Sequence, residues 1–162
     1  MAKDVASADR PAPEIAGAGT RVALVCGRFN DHITNRLLVG ATTALAECGV
    51  ADPDVHLTWV PGAFEVPLAA KAWAESGRVD AVIGLGAVIR GETGHYEFVA
   101  GECARGIQDA QLATGVPVVF GVLTTENVDQ ALERSGDDDN KGAESARTAL
   151  EMVATLRAIR QG

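Results

Sequence analysis

The apolar residues of this chain fall into short continuous runs, separated by segments in which they recur every three or four positions. The runs cover Arg21–Cys26, Val55–Val60, Val79–Ile89 and Pro117–Leu123. Continuous runs of this length are typical of strands that are buried on both faces, and the wider spacing is typical of amphipathic helices. The pattern therefore predicts four buried strands, each followed by helical sequence.

The helical segments have recognisable ends. Apolar residues from Ile33 to Cys48 predict a first helix that ends at Gly49, and a third helix is predicted over His95–Ala113. We expect Thr124 and Thr125 to cap a fourth helix, because a hydroxyl oxygen can accept a hydrogen bond from the first helical turn. A long terminal helix is predicted from Ala143 to Ile159.

Alternation of strands and helices predicts the fold class. It indicates a three-layer α/β/α sandwich around a four-stranded parallel, flavodoxin-like sheet. Residues 1–20 are rich in alanine, proline and glycine and lack periodicity, so we expect a flexible N-terminal arm. The remaining residues, 21–162, are expected to form a single domain.

Composition narrows the class of protein. The chain is 47% hydrophobic but only 4% aromatic, so its core must consist of valine, leucine, isoleucine and alanine. A net charge of −8 without a basic cluster argues against nucleic acid and anionic membrane as partners. No apolar run approaches a membrane span, and the first twenty residues lack a signal-peptide pattern. Three widely spaced cysteines fit no disulfide framework, so we expect a cytoplasmic location.

Polar residues collect directly after each predicted strand. In a parallel sheet these four junctions lie at one edge, where ligands bind in open α/β folds. The most informative junction follows the third strand, where a tight turn from Arg90 to Gly94 leads into a helix at His95. Unpaired N–H groups at a helix start favour an anion, and Thr93 adds a hydroxyl. This combination predicts a site for a small phosphorylated molecule.

Each candidate residue also has a purely structural interpretation. Phe29 and Phe64 stand in polar junctions, where they are either a platform for an aromatic ligand or edges of the core. His95 is either a proton carrier, since imidazole titrates near neutrality, or an exposed residue at a helix start. Glu65 fits a helix dipole equally well, and Arg134 and Lys141 fit a solvated surface.

Several kinds of chemistry have no sequence support. The histidines and cysteines lack metal-ligand spacing, no serine stands in a nucleophile elbow, and no glycine-rich dinucleotide or P-loop motif opens a helix. We therefore expect no metal and no dinucleotide or P-loop site. The chemistry must depend on positioning and acid–base assistance.

Taken together, these junctions resemble the 6,7-dimethyl-8-ribityllumazine synthase family. The resemblance runs in order from about Arg21 to Ile159, and five ordered motifs make it specific. They are Gly27–Asn30 (GRFN), Val60–Pro67 (VPGAFEVP), Gly86–Tyr96 (GAVIRGETGHY), Phe120–Asn127 (FGVLTTEN) and Asn140–Gly142 (NKG).

The resemblance implies the penultimate step of riboflavin biosynthesis. In that reaction 5-amino-6-(D-ribitylamino)uracil condenses with 3,4-dihydroxy-2-butanone 4-phosphate to give the lumazine, phosphate and water, without a cofactor. It also implies residue roles. His95 would carry protons, and the butanone phosphate would be bound by Glu92, Thr93 and Arg134. The ribitylaminouracil would be bound by Phe29, Ala63, Phe64, Glu65, Ala87, Val88, Ile89, Phe120 and Lys141.

In this family a neighbouring subunit completes each site, and here it would contribute Phe120, Arg134 and Lys141. Pentamers are therefore implied, which either remain separate or build a sixty-subunit shell. Two features depart from the family pattern: the carboxylate of Glu92, which would repel phosphate unless it points to solvent, and the acidic loop Ser135–Asn140. Two other hypotheses remain, namely a flavodoxin-like module that binds a pyrimidine or flavin without turnover, and a shell protein that has lost catalysis.

Overall fold

A computed structural model describes residues 15–162 and contains a four-stranded, all-parallel sheet with helices on both faces. The strands are β1 (Val22–Gly27), β2 (Val55–Val60), β3 (Ala81–Ile89) and β4 (Val118–Thr125). Their order across the sheet is β2-β1-β3-β4, so that β1 and β3 are central. The predicted α/β/α sandwich with a parallel sheet is confirmed.

Five α-helices connect and follow these strands in the described part of the chain. They are α1 (Asp31–Glu47), α2 (Val66–Glu75), α3 (His95–Thr114), α4 (Val128–Glu133) and α5 (Lys141–Gln161). Two short 3-10 turns, Asp52–Asp54 and Ala63–Glu65, precede β2 and α2. Gly49 lies just beyond α1 with a φ of 93°, as expected of a glycine that ends a helix.

The predicted threonine cap of α4 is wrong. Thr124 and Thr125 belong to β4, because the pairing of β4 with β3 continues as far as Ile89 and Thr125. Asn127 caps the helix instead, since its side-chain oxygen accepts a hydrogen bond from the backbone N–H of Gln130 at 2.9 Å. The strand thus extends two residues further than the apolar run indicates.

Side chains of the central strands alternate between two cores. Val22 and Leu24 of β1 pack with α1 and α5, whereas Ala23 and Val25 pack with α2 and α3. Among the described residues, the buried hydrophobic side chains are those of valine, leucine, isoleucine, alanine and cysteine, which confirms the predicted core without aromatic rings. Because helices cover both faces of the sheet, a ligand can reach the sheet at the carboxyl ends of its strands.

The expected N-terminal arm is only partly covered, because residues 1–14 lie outside the described residues. Ile15 packs against the core between the sheet and α1 and α5. The backbone N–H of Gly17 donates to the carbonyl of Cys48 at 2.7 Å. Within residues 15–162, no helix combines the length and the apolar character needed to cross a membrane.

Candidate active site

A cavity of about 670 Å³ opens at the carboxyl ends of β1, β2 and β3. Three of the strand–helix junctions identified in the sequence meet there, as expected for a parallel sheet. The cavity is lined by most of the predicted site residues: Phe29, Ala63, Phe64, Glu65, Ala87, Val88, Ile89, Thr93 and His95. Its wall is mainly apolar, with a few polar groups, which is typical of a small-molecule site.

The junction between β1 and α1 presents Phe29. Its backbone N–H donates to the carbonyl of Pro61 at 3.0 Å, which fixes the residue beside the end of β2, while its side chain is 75% exposed. The next residue, Asn30, has the left-handed conformation, with a φ of 61°. The side-chain amide of Asn30 donates to the carbonyl of Ala87 at 3.0 Å and so ties this junction to β3.

The junction between β2 and α2 supplies a second aromatic ring and a carboxylate. Ala63 is buried, whereas Phe64 and Glu65 are exposed at the cavity wall. The junction approaches β1 closely, because a Cβ atom added to Gly27 would lie 3.1 Å from the carbonyl carbon of Gly62. Two phenylalanine rings beside a carboxylate can bind a flat ring that carries hydrogen-bond donors.

The turn between β3 and α3 brings the polar groups of the opposite wall. Gly91, Thr93 and His95 line the cavity, and all three are exposed. The helix begins after Gly94 without a side-chain cap, so its first N–H groups are directed toward the turn. The hydroxyl of Thr93 accepts a hydrogen bond from the N–H of His95 at 3.4 Å. The wall therefore combines an anion-binding backbone with an imidazole.

No reactive thiol lies among the groups of the cavity wall. Burial raises the pKa of the Cys26 thiol to about 12, and it does the same to the pKa of Cys103. Both side chains are fully buried in the core and stay protonated near neutral pH. The imidazole of His95 therefore remains the predicted proton carrier of the wall.

Four predicted site residues do not line the cavity of their own chain: Glu92, Phe120, Arg134 and Lys141. Glu92 is exposed within the turn, although Gly91 and Thr93 on either side of it do line the cavity. Phe120 is 41% exposed on the edge strand β4. Arg134 and Lys141 lie next to each other at the connection between α4 and α5, where the N–H of Lys141 donates to the carbonyl of Arg134 at 2.9 Å.

Seven residues of the wall were not among the predicted site residues: Asn30, Pro61, Gly62, Gly91, Tyr96, Phe98 and Val99. Asparagine is the residue besides glycine that most readily adopts the left-handed conformation, so Asn30 at a strand end offered a usable signal. Tyr96, Phe98 and Val99 belong to the first turns of α3, and Phe98 is 72% exposed. In the sequence, the signal for that surface was the pair of aromatic residues, Tyr96 and Phe98, that follows His95 directly.

Comparison with related sequences shows which family the chain belongs to. The sequence pattern that defines the 6,7-dimethyl-8-ribityllumazine synthase family matches residues 19–157. The chain belongs to this family. It is 53% identical over 148 residues to a protein named 6,7-dimethyl-8-ribityllumazine synthase from Edwardsiella ictaluri (strain 93-146). That match covers 90% of this chain and 95% of the relative, so membership of the family extends across all the junctions around the cavity.

Proposed function

We propose that this chain is a lumazine synthase that uses the cavity at the carboxyl ends of β1–β3 as its reaction site. It condenses 5-amino-6-(D-ribitylamino)uracil with 3,4-dihydroxy-2-butanone 4-phosphate, and gives 6,7-dimethyl-8-ribityllumazine, phosphate and water. The observation that carries the proposal is membership of the family over nearly the whole chain. The turnover-free binding module and the inactive shell protein are disfavoured, because the stacking, anion-binding and proton-carrying groups are all present.

The β1 and β2 junctions form the half of the site that holds the pyrimidine. Phe29 stacks on the ring, and Ala63, Phe64 and Glu65 hold the ring edge and the ribityl chain. Backbone groups at the end of β3 (Ala87, Val88 and Ile89) contact the uracil edge. The support is the exposure of both rings beside a buried strand end, in an apolar wall that nothing else within residues 15–162 covers.

The β3–α3 turn forms the half that holds the phosphate and moves protons. Backbone N–H groups near Glu92 and Thr93 bind the phosphate, because the start of a long helix favours an anion. The carboxylate of Glu92 points away from it, in keeping with its exposure. Arg134 adds positive charge, which a chain with a net charge of −8 must supply locally.

The reaction then needs only positioning and proton transfer. An amino group of the uracil attacks the ketone carbon, and loss of water leaves an imine. Removal of a proton beside the imine expels phosphate together with the electron pair of its C–O bond, and His95 accepts that proton. The second nitrogen closes the ring as the remaining water leaves. Holding both substrates in one cavity supplies much of the acceleration, and a placed imidazole supplies the rest.

A neighbouring copy completes the site with Phe120, Arg134 and Lys141, and the assembly is built from pentamers. This part of the proposal is supported by the position of these residues outside the cavity of their own chain. It is also supported by the exposed apolar rings at the mouth of the cavity, those of Phe29, Phe64 and Phe98. The three free cysteines, two of them buried, support a reducing, cytoplasmic location.

The activity is tested by mixing the purified protein with both substrates. Absorbance of the lumazine and release of inorganic phosphate are followed together, beside a protein-free mixture in which the substrates condense unaided. We expect both signals to rise in step, and faster than in the control. Equal rates with and without protein would overturn the proposed activity.

A further inference from the structure

The turn that carries Thr93 and His95 has few contacts of its own. Residues 91–95 are all exposed, and a Cβ atom added to Gly91 or Gly94 would meet nothing within 4 Å. The internal hydrogen bond from the N–H of His95 to Thr93 is long, at 3.4 Å. A turn that contains two glycines and is open to solvent has many accessible conformations. Its working geometry must therefore be imposed from its ends.

Arg90 contacts every element around that turn. Its backbone N–H donates to the carbonyl of Thr125 at the end of β4, at 2.9 Å. Its guanidinium donates from Nε to Glu126 at 2.8 Å, and from a terminal nitrogen to Glu97 in the first turn of α3. The guanidinium carbon also lies 4.2 Å from the ring centroid of Tyr96. One side chain thus joins the ends of β3 and β4 to the start of α3.

The charges around Arg90 indicate positioning rather than direct binding of the phosphate. The hydrogen bonds that Arg90 donates to Glu97 and to Glu126 raise the pKa of Arg90, and the one to Glu97 lowers the pKa of that carboxylate. Two carboxylates already pair with this guanidinium, through Nε and one terminal nitrogen, and their negative charge opposes the approach of a phosphate. A planar fork that pairs with carboxylates and stacks on a ring fixes geometry in a way that an ammonium group cannot.

We propose that Arg90 is a positioning residue, which holds the turn from Gly91 to Gly94 so that its N–H groups and His95 face the phosphate-bearing substrate. The inference rests on the proposed function for the identity of that substrate. Arg90 acts through the turn, so its loss weakens the use of the butanone phosphate and leaves recognition of the pyrimidine by Phe29 and Phe64 intact.

The test compares Arg90→Gln with Arg105→Gln. Arg105 lies on α3 and also pairs with two carboxylates, Glu102 and Asp109, which belong to the same helix and not to the turn. For Arg90→Gln we expect KM for the butanone phosphate to rise about tenfold, with a lower kcat and an unchanged KM for the ribitylaminouracil. Arg105→Gln is expected to match the unsubstituted protein, and Arg90→Lys to recover only part of the loss. Gel filtration of each variant checks that assembly is retained.

Two outcomes would overturn the positioning role. One is Arg90→Gln kinetics indistinguishable from those of Arg105→Gln. The other is an equal loss of affinity for both substrates together with a lower melting temperature, which would make Arg90 a structural residue. If Arg90→Gln does not fold, Glu126→Gln serves instead, because it removes one ion pair of Arg90 and leaves the guanidinium in place. The same split between the two KM values is expected of it, at smaller amplitude.

A measurement without turnover separates this proposal from the proposed activity. Inorganic phosphate is titrated into each protein, and binding is followed by calorimetry and by the shift in melting temperature. We expect phosphate to bind to the unsubstituted protein and to Arg105→Gln, and to bind about tenfold more weakly to Arg90→Gln. Equal phosphate affinity in all three would overturn the role of Arg90, even if the protein is an active synthase. If the protein lacks synthase activity but phosphate still binds more weakly to Arg90→Gln, the role of Arg90 stands and only the proposed activity fails.

Discussion

Asn30 fixes the position of the β1–α1 junction relative to β3 and α1. Within residues 15–162 it is the one non-glycine residue with a positive φ, and that conformation is less favourable for a residue with a Cβ atom. Its side-chain amide compensates by donating to the carbonyl of Ala87, and its own carbonyl accepts from the N–H groups of Ile33 and Thr34 at the start of α1. The exposed ring of Phe29 therefore stands on a backbone that is held from two sides.

His95 is expected to affect turnover more than binding. In His95→Ala we expect kcat to fall about 100-fold while both KM values change little. Proton transfer by a placed side chain contributes about 10²–10⁴-fold, and the lower end is expected because the substrates also condense unaided. Steady-state kinetics from lumazine absorbance measures both parameters. The matched control is His32→Ala, because His32 is an exposed histidine in the first turn of α1 and does not line the cavity.

An unchanged kcat in His95→Ala would show that positioning alone accounts for catalysis. A rise in KM with unchanged kcat would assign His95 to binding of the phosphate. Either result would remove the proton-carrying role, while an equal loss in His32→Ala would indicate a general effect on assembly.

At this scale the sequence predicts side chains better than backbone geometry. Phe29 and Phe64 could be found because an aromatic residue in a polar junction is conspicuous. Two glycines of β3 illustrate the limit. A Cβ atom added to Gly84 would meet a side-chain atom of Val66 at 2.8 Å, whereas the nearest neighbour of one added to Gly86 would lie at an ordinary 3.8 Å. Whether a glycine is crowded depends on the helix packed above it, which local sequence does not specify.

Among the elements, β1 and β3 are tied together at the end of the sheet opposite the cavity. The carboxylate of Asp80, just before β3, accepts a hydrogen bond from the backbone N–H of Arg21 at 2.8 Å and pairs with its guanidinium at 3.2 Å. Burial opposes ionisation of Asp80, but the side-chain and backbone hydrogen bonds from Arg21 outweigh it, and the pKa of Asp80 is lowered. The tie contributes to stability far from the site.

This lowered pKa gives a pH dependence of defined sign. The contribution of Asp80 to the free energy of unfolding is present above the pKa of an unfolded aspartate, about 3.9, and is lost as pH falls through the lower folded pKa. We expect Asp80→Asn to lower that free energy by about 1 kcal/mol at pH 7. In acid, where Asp80 is protonated, the free energies of unfolding of Asp80→Asn and of the unsubstituted protein should become equal. Urea unfolding followed by circular dichroism, at pH 7 and in acid, measures both free energies.

The control for Asp80 is Asp109→Asn, the same chemical change in an exposed pair with Arg105. Exposed pairs contribute little, so we expect almost no change at either pH. If Asp80→Asn lowers the free energy of unfolding equally at pH 7 and in acid, the contribution of Asp80 does not come from its ion pair with Arg21. Synthase activity is expected to stay normal in both variants, since neither residue lines the cavity.

Elements were the most predictable level of this structure. All four strands were located from apolar runs, with bounds that differ by at most two residues, because a sheet covered on both faces requires continuous apolar sequence. The end of β4 was misjudged at Thr124 and Thr125. These residues are polar, and their place in the strand is decided by hydrogen bonds to β3, a partner more than thirty residues away in sequence.

For the whole molecule, the important relation is between two separate surfaces. One is the cavity at the ends of β1–β3, and the other is the surface around Arg134 and Lys141 at the α4–α5 connection. Local contacts keep both cations in place, because Arg134 donates to the carbonyl of Gln130 at 3.0 Å and Lys141 to Glu144 at 2.8 Å. The proposed function requires that these surfaces meet between copies.

Mixing two impaired variants tests that arrangement. His95→Ala and Arg134→Ala chains are unfolded, combined in equal amounts and refolded, and the rate of lumazine formation is compared with that of each variant refolded alone. If the two residues come from neighbouring copies, random assembly gives about one quarter of the sites both intact residues, and activity rises accordingly. Two residues that act within one chain would show no gain on mixing.

Sequence reasoning could predict the cavity but not what completes it. Three junctions meet because every parallel strand presents its carboxyl end to the same edge of the sheet, a consequence of topology alone. The proposed placement of Phe120, Arg134 and Lys141 opposite another chain depends on a surface match between copies. Nothing in the helical or strand periodicity of one chain encodes that match, so those residues were predicted from the resemblance to the family.

The separation of the two surfaces has a consequence for how activity relates to assembly. A chain with different halves of a site on different surfaces joins its copies head to tail, and every complete site then belongs to a contact rather than to a subunit. An open row of subunits holds one site fewer than it has chains, whereas a closed ring holds as many sites as chains. Specific activity per chain would therefore report ring closure, and would fall on dilution before any subunit unfolds.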